Sequence, residues 1–202
     1  MAATTNRPIT LAIARNLAEG HANAGLHHFN ELHRLVEESK RADRSLDFNE
    51  VIVLACPAAT SLSFALELGL KVLHFQHSGT YPCTHDLVAI CGKLPADSRS
   101  ILESTYDQMF GREEPSECNY FTVVTATATD AQPALPQAVP DVSTFGAALS
   151  HASDVFVTWR YLHEHLELRK SMGLHFKAIL CLIEAVHAAI QNYKGNARVV
   201  IG

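Results

Sequence analysis

Leu62-Ser63-Phe64-Ala65-Leu66-Glu67-Leu68-Gly69-Leu70-Lys71-Val72-Leu73-His74-Phe75 is the stretch on which the fold turns. Its polar members Ser63, Glu67, Lys71 and His74, followed by Ser78, recur every three or four positions. On a helix they form one narrow stripe, and leucine, valine and phenylalanine cover the rest. A helix apolar around most of its circumference belongs at the centre of a bundle. The spacing predicts this helix from just after Pro57 to about His77, with Gly79 as its stop.

Working outward, the segment from about Ile9 to Lys40 carries Ile9, Ile13, Leu17, Ala24, Leu32, Leu35 and Val36 at helical spacing. Gly20 and Gly25 mark places where that helix can kink or break. After the central helix, Thr84 stands at an N-cap position with Asp86 in the first turn, opening a short helix that Pro95 ends. Asp97 caps the next one, through Ile101, Leu102, Tyr106, Met109 and Phe110. From Arg112 to Thr144, Pro115, Pro133, Pro136 and Pro140 interrupt any regular pattern. Phe121 to Thr125 has strand composition but no evident partner, so residues 112–144 read as a long irregular surface insert. Ser143 or Thr144 caps a helix running through Glu167, with a seam of Phe145, Leu149, Ala152, Phe156, Trp159 and Leu166. Ser171-Met172-Gly173 breaks the chain. A last helix from about Leu174 to Tyr193 faces the bundle with Phe176, Ile179, Leu180, Ile183, Val186 and Ile190, before an apolar Val199-Val200-Ile201 tail. The expectation is a single all-α domain over residues 1–202, an up-and-down bundle of about five helices with one irregular insert.

Composition narrows the function classes. Hydrophobic residues make up 48% of the 202 residues, too many for a disordered chain. A net charge of −5 disfavours tight, sequence-independent nucleic-acid binding, and DNA is not expected as a partner. Five cysteines without a CxxC pair suit reduced thiols in a cytoplasmic protein. The N-terminus shows no signal-peptide pattern, and Ala178–Ile190, read as the most apolar stretch, is too short to span a bilayer, so no membrane role is expected. Cys83 and His85 lack a second ligand pair at zinc spacing, and no three of the twelve histidines are spaced to converge on a metal. The phosphate-loop, dinucleotide, HExxH and GxSxG signatures are all absent, and nothing calls for a cofactor.

Three groupings carry chemistry. Glu67 and Lys71, at i,i+4 with the glutamate first, read either as a modest surface ion pair or as the lining of a subunit contact or small cleft. His85-Asp86 reads as a helix start, with Asp86 satisfying backbone donors and His85 bonding to a neighbouring helix; alternatively the two bind phosphate or transfer protons. Arg160-Tyr161-Leu162-His163-Glu164-His165 combines a group that stabilises phosphate charge with one that moves protons at neutral pH. On an intact helix Arg160 and His165 point about 140° apart. Arg160 instead faces Glu164, so a shared site requires a distorted helix or a second subunit.

The Ser61–Leu73 helix, with its Glu67-Leu68-Gly69-Leu70-Lys71 core, resembles the "ELxLKxLL" helix of HEPN domains (higher eukaryotes and prokaryotes nucleotide-binding). Thr84-His85-Asp86-Leu87 with Leu94-Pro95 is similar to their "HDL…LP" turn, and Trp159-Arg160-Tyr161 resembles the "WRY" helix of several branches. The resemblance spans Ala58 to His165. It implies a helical bundle that forms homodimers, often a metal-independent endoribonuclease of toxin or defence systems. Arg160 and His165 match the spacing of that family's Rx4–6H motif, with His165 as base toward the ribose 2′-hydroxyl and Arg160 as the charge stabiliser. Tyr161 and Glu167 depart from the residues usual around it. Other members are non-catalytic partners of a nucleotidyltransferase or toxin. In that alternative the Glu67/Lys71/His74 stripe and the 112–144 insert are contact surfaces.

Overall fold

The computed structural model describes residues 10–112, 120–124, 140–160 and 171–193. Six helices form among them: α1 (Leu11–Arg41), α2 (Phe48–Ser78), α3 (Leu87–Gly92), α4 (Ala96–Phe110), α5 (Phe145–Arg160) and α6 (Phe176–Asn192). Two short strands, β1 (Tyr120–Val124) and β2 (Ser171–His175), complete the described chain. The protein is an all-α helical bundle, with six helices among the described residues where about five were expected.

Helix α2 is the central element and is longer than its periodicity suggested. It starts ten residues earlier than Ala58, at an Asp47 capping box that Glu50 closes, and runs through Pro57 without a break. Proline removes one helical hydrogen bond, to the carbonyl four residues back. That residue is Val53, 63% exposed, on the solvent side, where a carbonyl without a backbone donor is free to bond to water. At its far end Gly79 adopts φ 72°, the left-handed cap that ends the helix. Among the described residues, the helix long and apolar enough to cross a bilayer is α2, over Asn49–Ser78, rather than Ala178–Ile190. In this fold its apolar faces are covered by α1, α3, α5 and α6.

Helices α1 and α2 lie antiparallel, with His21 meeting Phe64 and Gly25 meeting Leu62. Neither Gly20 nor Gly25 breaks α1. Gly25 permits close approach, since a Cβ there would lie 2.6 Å from Leu62 Cγ. The seam of α1 is therefore Ala14, Gly25 and Leu32, whereas Ile13 and Leu17, expected inside, are 50% and 43% exposed. Small residues on α1 let the large leucines of α2 fill the interface.

The short helices follow the expected order with two changes of cap. Asp86, not Thr84, caps α3, accepting from Ala89 N at 3.0 Å, while Thr84 Oγ1 accepts from Asp86 N at 3.1 Å. Pro95 precedes α4, and Asp97 sits in its first turn without a capping bond. Tyr106 donates to the Val142 carbonyl at 2.6 Å and ties the returning chain to α4.

Strand β1 has a partner after all. It pairs antiparallel with β2, Tyr120 opposite His175 and Val124 opposite Ser171. The Ser171-Met172-Gly173 stretch read as a chain break is thus half of a ladder. A side chain at Gly173 would collide with the Tyr120 ring. Leu174 belongs to β2, and α6 begins at Phe176. Residues 113–119 and 125–139 of the expected insert, and the helix continuation over 161–167, lie outside the described residues. The predicted α5 seam holds: Phe145, Leu149, Ala152, Phe156 and Trp159 are all buried. Helix α6 is buried more broadly than expected, through Ala178, Cys181, Leu182, Ala185 and Ala189 besides Phe176, Ile179 and Val186. One contiguous apolar cluster draws on all six helices. Each fully buried leucine in it contributes about 1.5–3 kcal/mol.

Candidate functional site

The polar stripe of α2 turns inward. Ser63 and Glu67 are fully buried, His74 is nearly so, and Lys71 keeps 16% of its side chain exposed. The pair is therefore not a surface ion pair. Glu67 Oε1 accepts from Lys71 Nζ at 2.7 Å, with only 2% of the glutamate side chain open to solvent. Breaking an ion pair so placed strands a charge inside the protein, which costs far more than breaking an exposed one.

The same Oε1 lies 2.9 Å from Nδ1 of His85, in the loop that leads into α3. A carboxylate only accepts, so Nδ1–H donates, and the neutral ring then carries its lone pair on Nε2. His85 is 68% exposed while its anchor is buried. A fixed carboxylate thus aims a solvent-facing imidazole, the arrangement by which carboxylate–histidine pairs set ring orientation and tautomer. Asp86 is occupied differently: one of its oxygens is committed to capping α3. The loop before α3 also bonds across to α5, Leu87 N donating to Ser153 Oγ at 3.4 Å.

Aromatic rings flank the imidazole. His85 stacks near Phe156 of α5 with centroids 6.4 Å apart, Phe156 lies 6.3 Å from Phe64 of α2, and Phe64 meets His21 of α1 edge-on at 4.7 Å. Phe64, Phe156, His21, Thr60 and Ser61 line a cavity of about 230 Å³ beside the cluster. Two buried polar atoms on the stripe, Ser63 Oγ and Glu67 Oε2, have no hydrogen-bond partner. His74 serves the fold, its Nδ1 donating to the Thr80 carbonyl at 2.9 Å at the end of α2.

Arg160 is the last residue of α5, four positions beyond Phe156. Its side chain, and His165, lie outside the described residues. The neighbouring Trp159 is a core residue, 1% exposed, whose carbonyl accepts from Cys56 Sγ at 3.5 Å.

The structure thus brings Glu67, Lys71 and His85 together and assigns Asp86 to a cap. Sequence reasoning did not find Phe156 as the neighbour of His85, nor Phe64 and His21 as the rings that continue the row behind it. They come from three helices, and only the bundle's packing joins them. A second titratable pair was equally hidden. His151 Nε2 accepts from the backbone N–H of His175, which itself caps α6 by accepting from Ala178 N. Burial, and then the neighbouring His151, push the His175 imidazole down to about 4; burial also lowers His151. Among the described residues no group of three histidine, cysteine or carboxylate side chains is placed to hold a metal ion. Comparison of the chain with protein-family models, with curated proteins and with solved structures gives no match.

Proposed function

We propose that the chain is a HEPN-like helical protein that acts as a homodimer, binds single-stranded RNA and cleaves it by acid–base chemistry without a metal ion. The observation that carries this reading is the Glu67–His85 contact. It holds an exposed imidazole in one tautomer, beside Lys71 and an aromatic-lined cavity. The partly open rings of Phe64 and His21 can accept an unpaired base by stacking, with Phe156 buried behind them.

In the proposed reaction the base role that the resemblance gives His165 passes to His85, whose Nε2 takes the proton of a ribose 2′-hydroxyl, and His165 serves as the acid. The 2′-oxygen attacks the adjacent phosphorus, the bond from phosphorus to the 5′-oxygen breaks, and that oxygen takes a proton from His165. The products are a 2′,3′-cyclic phosphate and a 5′-hydroxyl. Arg160 stabilises the charge that builds on the phosphoryl oxygens. The test is incubation of the protein with a pool of short single-stranded RNAs in EDTA. Wild type cuts, Arg160→Ala/His165→Ala does not, and His85→Ala is slower by about a hundredfold or more. Undiminished cutting by the double variant ends the nuclease assignment.

A second reading, a non-catalytic module that pairs with another protein, draws on the exposed Ile13, Leu17 and Leu26 of α1. It is preferred if wild type leaves RNA intact while Ile13→Glu/Leu17→Glu abolishes association measured by light scattering.

A further inference from the structure

A second cavity, of about 450 Å³, opens between α1, α2 and α6 and shares no residue with the His85 site. Its existence follows from small side chains. Ala18 and Ala22 on α1 face Ala65 and Gly69 on α2, and the space they leave is not refilled. Gly69 also draws α6 close, since a Cβ there would sit 2.8 Å from Val186 Cγ1.

The cavity has an apolar end and a polar end. Gly69 meets Val186, and seven residues further along each helix Tyr193 donates to the Gln76 carbonyl, so α2 and α6 run side by side in the same direction. Leu66 and Ile183 therefore lie toward one end, with Gln76 and Tyr193 at the other. Helix α1 runs the opposite way, which carries Arg15 toward the Gln76 end.

Arg15 has no ion pair or hydrogen bond among the described residues, and its Nε is shut off from water without a partner. Gln76 Oε1 is in the same condition. Glu19, one turn along α1 and exposed, does not pair with Arg15, so solvent screens it. The polar end also holds Glu19, His187 and Gln191, the last two hydrogen-bonded to each other. An unpaired guanidinium at the polar end of a slot whose other end is apolar is the chemistry that holds a carboxylate on an apolar body. From Leu66 to Gln76 the helix rises about 15 Å, the reach of an extended chain of about eight to ten carbons with its carboxylate.

We infer that this cavity binds a medium-chain monocarboxylate, with Arg15 taking the carboxylate and Leu66, Gly69, Ile183 and Val186 taking the chain. The experiment is calorimetric titration of the full chain with octanoate, with 1-octanol as the uncharged counterpart. Octanoate binds, and 1-octanol binds more weakly by about tenfold, the worth of one charge-assisted hydrogen-bonded contact. Arg15→Gln lowers octanoate affinity by about the same factor and leaves 1-octanol unchanged. Ala22→Leu fills the slot and removes both, without altering the sedimentation coefficient. Absence of octanoate binding, or equal affinity in wild type and Arg15→Gln, overturns the inference. So does a change of oligomeric state in Ala22→Leu, which assigns the groove to a second copy of the chain.

Discussion

The imidazole of His151 accepts a hydrogen bond from the backbone N–H of His175 at 3.1 Å, which joins α5 to the point where β2 becomes α6. An imidazolium at His151 cannot accept that bond, and an imidazolium at His175 loses its acceptor role at the α6 cap. Both rings are held in the neutral form, chiefly by burial.

Stability therefore falls on acidification. The folded state binds a proton at His175 only near pH 4, whereas the unfolded chain binds one near the ordinary value of 6.5. Above pH 6.5 both states are neutral and the group adds no pH dependence. As the pH drops from 6.5 towards 4 the unfolded state takes up protons first, and stability declines through that window. With the ring partly open to water, the loss at His175 is about 1–2 kcal/mol. Urea denaturation at pH 7 and pH 4.5 measures it. His175→Asn, which keeps a capping oxygen but does not titrate, reduces the difference and leaves the part due to His151.

Gly25 and Gly69 each allow a close helix–helix contact by lacking a side chain. Gly25→Ala places Cβ 2.9 Å from the Leu62 backbone nitrogen, an atom that cannot move aside, and costs about 2–3 kcal/mol. Gly69→Ala meets only the tip of Val186, and its gain in helix propensity offsets part of the clash, leaving a loss of about 1 kcal/mol. Thermal melts should move by about 2–4 °C per kcal/mol in a chain of this size. Val186→Ala relieves Gly69→Ala and does nothing for Gly25→Ala.

For Glu67 and Lys71, a double-mutant cycle with Glu67→Gln and Lys71→Met reads the interaction directly. An exposed i,i+4 pair gives about 0.3–0.5 kcal/mol. With the glutamate buried, Lys71→Met alone should cost about 2 kcal/mol, and the coupling should exceed about 1 kcal/mol. A coupling at the exposed-pair level contradicts the burial described for Glu67.

Asp86→Ala separates capping from ligand contact. Loss of the α3 cap lowers stability by about 1 kcal/mol, and Asp86→Ser restores most of it. RNA affinity, followed by fluorescence anisotropy, should be unchanged by Asp86→Ser. A drop in affinity without a drop in melting temperature makes Asp86 a binding residue.

Local pattern was enough to place the six described helices in order, because an apolar stripe of period 3.6 is written into each segment. The α5 seam and the central position of α2 were legible for that reason. Other features were not. Pro57 looked like a boundary because a proline removes a hydrogen bond, and nothing local says that Val53 stands on the solvent side. Phe121 to Thr125 looked partnerless because its partner lies about fifty residues away and contains a glycine with no strand propensity. Ile13 and Leu17 looked buried because hydrophobicity alone cannot reveal that a seam of alanine and glycine is the one that fits α2.

The candidate site divides the same way. The residue types were visible in the sequence: a glutamate four before a lysine, a histidine before a helix. Whether Glu67 is buried, and whether His85 turns toward it, depends on how α2, α3 and α5 converge. Periodicity assigns each helix a face but not a neighbour. Packing chooses the neighbour, and here it converts a polar stripe on one helix into a carboxylate that holds an exposed imidazole.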